Sequence, residues 1–177
     1  MAAKYSKHYN DKNVFLVGGS EGIGLETAKL LAENGAHLMI FSRNKEKLEK
    51  AVDEIKKSRV SDSQKAEYLQ VDVSDNNQVQ NVMNKAVTDF GVPDVVINNV
   101  GRAFPGYFED ITYEAFDQTL KVNLYGIRNT CAALLPTMKE KGGTIVNVSS
   151  MVGFMGVFGY SDYAASKFGL IGFTETL

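Results

Sequence analysis

Short apolar runs rich in β-branched and aromatic residues alternate along this chain with longer stretches whose apolar residues recur at helical spacing. The short runs predict strands at Val14 to Val17, His37 to Phe41, Glu67 to Val71, Val95 to Asn98 and Thr144 to Val148. Most are continuously apolar rather than alternating, as strands buried on both faces require. Helices are predicted between them at Gly22 to Asn34, Lys45 to Lys57, Asn76 to Phe90 and Tyr113 to Glu140, with a last one opening near Tyr160. Gly35 reads as the C-cap of the first helix and Asp75 as the N-cap of the third. No repeat or Pro/Gly/Ser-rich linker divides the chain, so the pattern predicts one α/β domain over residues 1–177, a doubly wound parallel sheet of five strands. Leu177 falls inside the helical pattern IGFTETL with no cap or turn after it, so the domain is expected to be C-terminally incomplete.

Composition narrows the function classes. With 44% hydrophobic and 23% charged residues in 177, the chain has the make-up of a globule with a sizeable core. A net charge of -2 and the lack of a polybasic run speak against nucleic acid as a partner. The opening MAAKYSKHYNDKN has no apolar signal-peptide core, and Cys131 has no second thiol to pair with, which together suggest a reducing, cytoplasmic setting. Gly142 to Ser161 is uncharged and long enough for a membrane span, but its glycines and its Thr144, Asn147, Ser149 and Ser150 suit a buried strand and loop better. No integral membrane segment is expected. No histidine or cysteine cluster suggests a metal, Cys131 reads as core packing, and His8 and His37 receive no role.

Two motifs carry chemistry. After the first strand, glycines at 18, 22 and 24 allow a sharp turn, close approach of a ligand to the backbone, and a helix N-terminus aimed at an anion. Alone, such a trio is also what any tight strand-to-helix turn uses. Far along the chain, Tyr163 and Lys167 in YAASK stand one helical turn apart, with Ser149 and Ser150 upstream in VNVSS. A phenol holds its proton near neutrality, and an ammonium four residues on along the same helix face favours its release. Standing alone, the pair could equally be an i,i+4 surface pair. Tyr160 is a rival phenol, but Ala164 occupies the position four residues beyond it, so it reads as lining a substrate cleft. At the end of the second strand stand Phe41, Ser42 and Arg43, with no acid to accept from a ribose diol and a guanidinium able to pair with a 2′-phosphate. This favours NADPH (NADP+) over NADH, while Glu21 in the glycine loop argues the other way.

The order and spacing of these motifs resemble the short-chain dehydrogenase/reductase family over essentially the whole length, with a Rossmann-like fold. The resemblance implies an oxidoreductase that reduces a ketone to a secondary alcohol, with Tyr163 as acid, Lys167 as its activator and ribose contact, Ser150 as the group orienting the substrate oxygen, and Asn123 in KVNLYG as a helix-bending residue on the proton path. It assigns Gly18, Ser20, Gly22, Ile23 and Gly24 to the cofactor turn, Arg43, Asp72 and Val73 to the adenosine end, and Asn99 and Gly101 of NNVG to the cleft wall. Asp72 alone reads as readily as a turn or cap residue. Val17 stands where the family has a threonine, which removes a hydroxyl from the turn, and Val100 replaces an alanine. The segments GYFED, VFGYSDYAASKF and GLIGFTETL look similar to 3-ketodihydrosphingosine reductases, which places the chain in lipid metabolism with a lipid-like ketone as substrate, and the run GFMGVFGY could be either core or an apolar substrate wall. Other readings stay open: a 3-oxoacyl or hydroxysteroid reductase, a catalytically silent NADP-binding fragment, or an associating subunit. The long helices at Tyr113 to Glu140 and from Tyr160 imply a homodimer or homotetramer.

Overall fold

The computed structural model describes residues 6–177. The reading of the opening segment as lacking a signal core falls partly outside them. A helical turn, α1 (Ser6–Tyr9), leads into β1 (Asn13–Val17), followed by α2 (Gly22–Glu33), β2 (His37–Ser42), α3 (Lys45–Lys57), β3 (Ala66–Gln70), α4 (Asn76–Phe90) and β4 (Val95–Asn98). The rest of the chain forms α5 (Tyr113–Leu120), α6 (Gly126–Lys141), β5 (Thr144–Asn147) and α7 (Ser161–Thr176).

All strand pairs are parallel and the sheet order is β3-β2-β1-β4-β5. The order reverses direction at β1, which pairs with β2 on one side and β4 on the other. In a doubly wound sheet that reversal opens a crevice at the carboxyl ends of the strands.

The continuous apolar run of β1 is explained by burial on both faces. Val14 and Leu16 pack with Ala28, Leu31, Leu48 and Ile55 of α2 and α3, while Phe15 and Val17 pack with Met83 and Phe90 of α4 and Leu134 of α6. Each such fully buried side chain contributes roughly 1.5–3 kcal/mol of transfer free energy. Strand β5 departs from the expected double burial: Thr144 and Val146, on one face, are exposed, while Ile145 and Asn147 on the other are partly buried.

The anticipated caps are present. Asp75 accepts from Gln78 N at 3.0 Å, and Gly35 takes a left-handed φ of 90° just past α2. His37 has a structural contact, its Nδ1 accepting from Lys65 N at 2.9 Å.

The predicted single helix from Tyr113 to Glu140 is interrupted. Between α5 and α6 a π-helical turn spans Lys121–Tyr125, with Asn123 buried at its centre. Inserting one residue into a helix costs backbone hydrogen-bond geometry and marks a local demand from tertiary contacts. Here the demands are Asn123's hydrogen bonds and the close seat of Gly126, where an added methyl would lie 2.6 Å from Val73 Cγ2.

Candidate active site

The three glycines after β1 have three different reasons to be glycine. Gly18 has φ 84°, and a Cβ there would lie 3.0 Å from Val100 N. Gly22 has φ 55° with nothing within 4 Å of a would-be Cβ, so it turns the chain while leaving the start of α2 open to a ligand. Gly24 would place a Cβ 2.0 Å from Gly18 O, so α2 starts against the turn only because that methyl is missing. The turn is tied down from two strands: Gly18 N donates to Phe41 O at 2.8 Å, and Asn99 Nδ2 donates to Gly18 O at 3.2 Å. That side-chain amide braces the loop in a chain whose residue 17 is the buried Val17.

These residues open onto a cleft at the crevice predicted by the strand order. Gly18, Ser20 and Glu21 line one end, Ser42, Arg43, Asp72 and Val73 the other, and Asn99, Val100 and Gly101 the wall between. Asp72 also serves its own turn, its Oδ1 accepting from Ser74 N at 3.0 Å and Ser74 Oγ at 2.7 Å. Glu21 is neutralised by Lys47, whose Nζ lies 2.8 Å away on the first turn of α3. Among the described residues no carboxylate lies within 4.0 Å of Arg43, so its cation is free to meet a ligand.

A second depression adjoins through Asn99, Val100 and Gly101 and is lined by Ile23, Arg102, Val148, Ser149, Tyr163 and Lys167. Lys167 is 3% exposed and donates from Nζ to Val148 O at 2.8 Å, with its ammonium 5.8 Å from the centroid of the Tyr163 ring. Burial pushes its amine from 10.5 down to about 8. A value near 8 still leaves the amine about nine-tenths protonated at neutral pH. An added Cβ on Gly101 would lie 3.6 Å from Lys167 Nζ, so glycine keeps the space before the ammonium clear.

Of the serine pair, Ser149 is the one lining this depression, and its Oγ donates to Lys167 O at 3.2 Å. Ser150 caps the following 3-10 turn, accepting from Val152 N at 3.2 Å, which leaves its own O–H free to donate. Tyr160 packs 6.0 Å from Tyr163, ring centroid to centroid.

Behind the tyrosine lies a polar network that the motifs alone did not reveal. Tyr163 N donates to Asp162 Oδ1 at 2.7 Å, and Asp162 Oδ2 accepts from Thr119 Oγ1 at 2.6 Å. Tyr163 O accepts from Ser166 Oγ at 2.7 Å, and Ser166 accepts from Asn123 Nδ2 at 3.0 Å. Asn123 also holds Arg102, accepting from its N–H at 2.8 Å and donating to its carbonyl at 2.9 Å. Thus Asn123 reaches the site by holding its neighbours. Thr119 and Asn123, four residues apart on one helix face, together with an acid at the first turn of α7, were the available sequence signal. Asn98 is spent on the sheet end, donating to Asn147 Oδ1 at 2.8 Å and accepting from Thr130 Oγ1 at 2.7 Å. Cys131 is buried in a small apolar cluster with Ile127 and Leu170, and burial pushes its thiol up to about 11.

No group of three or more potential metal ligands occurs among the described residues, and no described helix is long and apolar enough to cross a membrane.

Comparison with known proteins places this geometry among relatives. The family described as short chain dehydrogenase matches residues 12–177. The 3-oxoacyl-[acyl-carrier-protein] reductase FabG of Chlamydia muridarum is 37% identical over 168 residues, covering 94% of this chain and 66% of the relative. The 3-ketodihydrosphingosine reductase of Bos taurus is 38% identical over 167 residues, covering 93% and 50%. Among solved structures, NAD+-bound xylitol dehydrogenase superposes with a TM-score of 0.89 at 30% identity, over 96% of this chain and 64% of that one. An alcohol dehydrogenase from the archaeon Thermococcus sibiricus, complexed with 5-hydroxy-NADP, gives 0.88 at 28% identity, over 94% and 70%. The chain spans half to two thirds of the length of these curated relatives.

Proposed function

We propose that this chain, which belongs to the short chain dehydrogenase family, acts as one dinucleotide-binding domain that reduces a ketone to a secondary alcohol with NADPH. The observation that carries the reading is the buried ammonium of Lys167, lining one depression with Tyr163 where no acid among the described residues neutralises it. The names of the relatives, reductases and dehydrogenases, support the same reaction class.

The residues present suit the cofactor. The open turn at Gly18, Ser20 and Gly22, with Ile23 and Gly24 beginning α2, would take the diphosphate on backbone amides. Arg43, free of any acid partner, would take the 2′-phosphate, with Asp72 and Val73 flanking the adenine, and this favours NADPH over NADH. Asn99, Gly101 and Lys167 would hold the nicotinamide ribose. NADPH supplies the hydride when bound, and the chain supplies everything else.

Tyr163 would give its phenolic proton to the carbonyl oxygen, which Ser150 holds by donating its free O–H. The charge left on the phenolate is stabilised by the Lys167 ammonium. Asn123 would position Tyr163 through Ser166, and would hold a water that returns protons toward Lys167.

The substrate we propose is a ketone on a long apolar chain. Met151, Phe154, Met155 and Phe158 are exposed in the segment that joins Ser150 to α7, and Phe158 meets Tyr107 edge-on at 5.9 Å, an apolar surface that would receive such a chain. Relatives named for 3-ketodihydrosphingosine and for 3-oxoacyl-[acyl-carrier-protein] fit a lipid-like substrate of this kind. Tyr113, Tyr125 and Phe168, exposed on the helical segments running from α5 to α7, would pack a homodimer or homotetramer.

The test is NADPH oxidation followed by absorbance across a panel of long-chain ketones, with Tyr163→Phe alongside. The expected result is turnover in the native chain and, in the variant, cofactor affinity kept while turnover is lost. Turnover retained by Tyr163→Phe would remove the proposed acid.

A further inference from the structure

Helix α6 begins against the turn that carries the proposed adenosine end of the cleft. Val71, Asp72 and Val73 follow β3 and line that end. Gly126 and Asn129, three apart and therefore neighbours on one helix face, both meet Val73. A methyl on Gly126 would lie 2.6 Å from Val73 Cγ2, so glycine lets the helix seat directly on the side chain. Asn129, 5% exposed, donates from Nδ2 to Val73 O at 3.1 Å, so the backbone is held as well.

Local bonds give the turn its shape but do not attach it to α6. Asp72 Oδ1 accepts from Ser74 N and Ser74 Oγ, and Asp72 O accepts from Asp75 N at 3.1 Å. Val73 is buried in neither strand nor helix, where a carbonyl without a donor is costly. The Asn129 amide meets that need. Packing does not explain the amide: Val73, Ala133 and Leu134 belong to one apolar cluster, and Ala133 stands one turn past Asn129 on the same face. An apolar side chain would suit that setting, and asparagine favours a helix interior less than leucine does. Its other polar atom, Oδ1, meets the neighbouring Arg128 at a loose 3.4 Å, so the bond to Val73 O is the firm one.

We infer that Asn129 is a positioning residue for the adenosine half of the cofactor, acting through Val73. The inference rests on the reading of this cleft as a dinucleotide site and adds to it a residue outside the cleft lining. One stretch of helix then holds the cleft at both ends: Asn123 reaches Tyr163 through Ser166, and Asn129 reaches the adenosine end through Val73. Without the amide the Val73 carbonyl must find water, and the turn shifts away from α6 to do so. The adenine loses its wall while the nicotinamide end keeps its geometry.

The experiment titrates the native chain and Asn129→Leu, which removes the donor and keeps the branching, with NADPH and reduced nicotinamide mononucleotide by fluorescence and with 2′,5′-ADP by calorimetry. Loss of one hydrogen bond to a buried carbonyl should weaken NADPH and 2′,5′-ADP by a shared factor of roughly three to ten, and leave the mononucleotide, which has no adenosine, within about twofold. A residue serving only the fold would weaken all three alike or none, and either result overturns the inference. If Asn129→Leu does not fold, Asn129→Ser, whose hydroxyl is too short to reach Val73 O, carries the same expectation. None of these readouts needs turnover, so a loss confined to the adenosine probes supports Asn129 even where no ketone is reduced and the reductase reading fails. A native chain that binds no 2′,5′-ADP defeats the dinucleotide reading and the inference with it, whereas native binding that the variants leave unchanged overturns the role of Asn129 alone.

Discussion

Asn123 donates from Nδ2 to Ser166 Oγ at 3.0 Å, and Ser166 passes the contact on by donating to the Tyr163 carbonyl at 2.7 Å. The buried amide in the π turn is thereby connected to the backbone of the proposed acid, while its other contacts clamp Arg102. Replacing it with the isosteric Asn123→Leu would leave the Arg102 N–H and carbonyl without their partners, at about 1–3 kcal/mol for each group that water cannot reach. The expected result is a loss of about 3 kcal/mol in denaturant unfolding, with kcat falling further than the unfolded fraction explains. An Asn123→Leu protein with native stability would remove the amide from its positioning role.

Lys167 sets up a pH dependence of opposite sign for stability and for turnover. Its folded value of about 8 lies below the ordinary 10.5, so between these values the unfolded chain binds more protons and stability rises with pH. The charged, buried amine therefore costs the native state at pH 7 roughly 3 kcal/mol, against about 1 kcal/mol returned by its bond to Val148 O. Lys167→Met should then be more stable than the native chain at pH 7 by about 2 kcal/mol, the gain fading by about pH 10, while turnover is abolished. Thermal melts of both proteins at the two pH values check this, and a variant less stable at pH 7 than at pH 10 relative to the native chain contradicts it. Native turnover should decline as pH rises through about 8, as the ammonium is lost.

Much of this site was legible in the sequence because its parts obey local rules. Strands of continuous apolar residues emerged within one residue of their observed bounds, since burial on both faces leaves no alternation to misread. Asp75 and Gly35 were legible as caps for similarly local reasons: an N-cap needs a short side-chain acceptor and a left-handed C-cap needs no Cβ. The π turn was not legible, because KVNLYG is compatible with an ordinary helix and the extra residue is imposed by Arg102, Ser166 and Val73 from distant parts of the chain. Asp162 was missed for the same reason. What marks Asp162 is a partner on α5, and that property is not written in local sequence.

The glycines of the turn should separate folding from binding. Gly24→Ala places a methyl 2.0 Å from a backbone oxygen that cannot swing aside, so α2 must move. A loss of at least about 2 kcal/mol in stability is expected, together with loss of cofactor binding. Gly22→Ala meets no atom, and its strain is limited to a left-handed φ of 55°, about 1 kcal/mol. It should fold nearly normally yet bind NADPH more weakly, since its methyl occupies the ligand's approach. Chemical denaturation and nicotinamide fluorescence titration of the two variants distinguish these outcomes, and equal stability losses would show that the Gly24 contact is relieved elsewhere.

Arg43 offers the cleanest test of cofactor choice, because its guanidinium has no acid partner to lose among the described residues and its carbonyl is held separately by Gln70 Nε2 at 2.7 Å. Removing the side chain therefore should not disturb the end of β2. Arg43→Ala is expected to weaken NADPH by roughly tenfold to a hundredfold, the range for a charge-assisted contact to phosphate, and to leave NADH within about twofold. The counter-charge Glu21 is already engaged by Lys47 at 2.8 Å, so Lys47→Met should release its carboxylate toward the cleft and weaken NADPH as well, by a smaller factor. Competitive fluorescence titrations with both nucleotides at fixed ionic strength would measure these ratios. Equal losses of NADPH and NADH in Arg43→Ala would mean that the guanidinium supports the cleft without reading the 2′-phosphate.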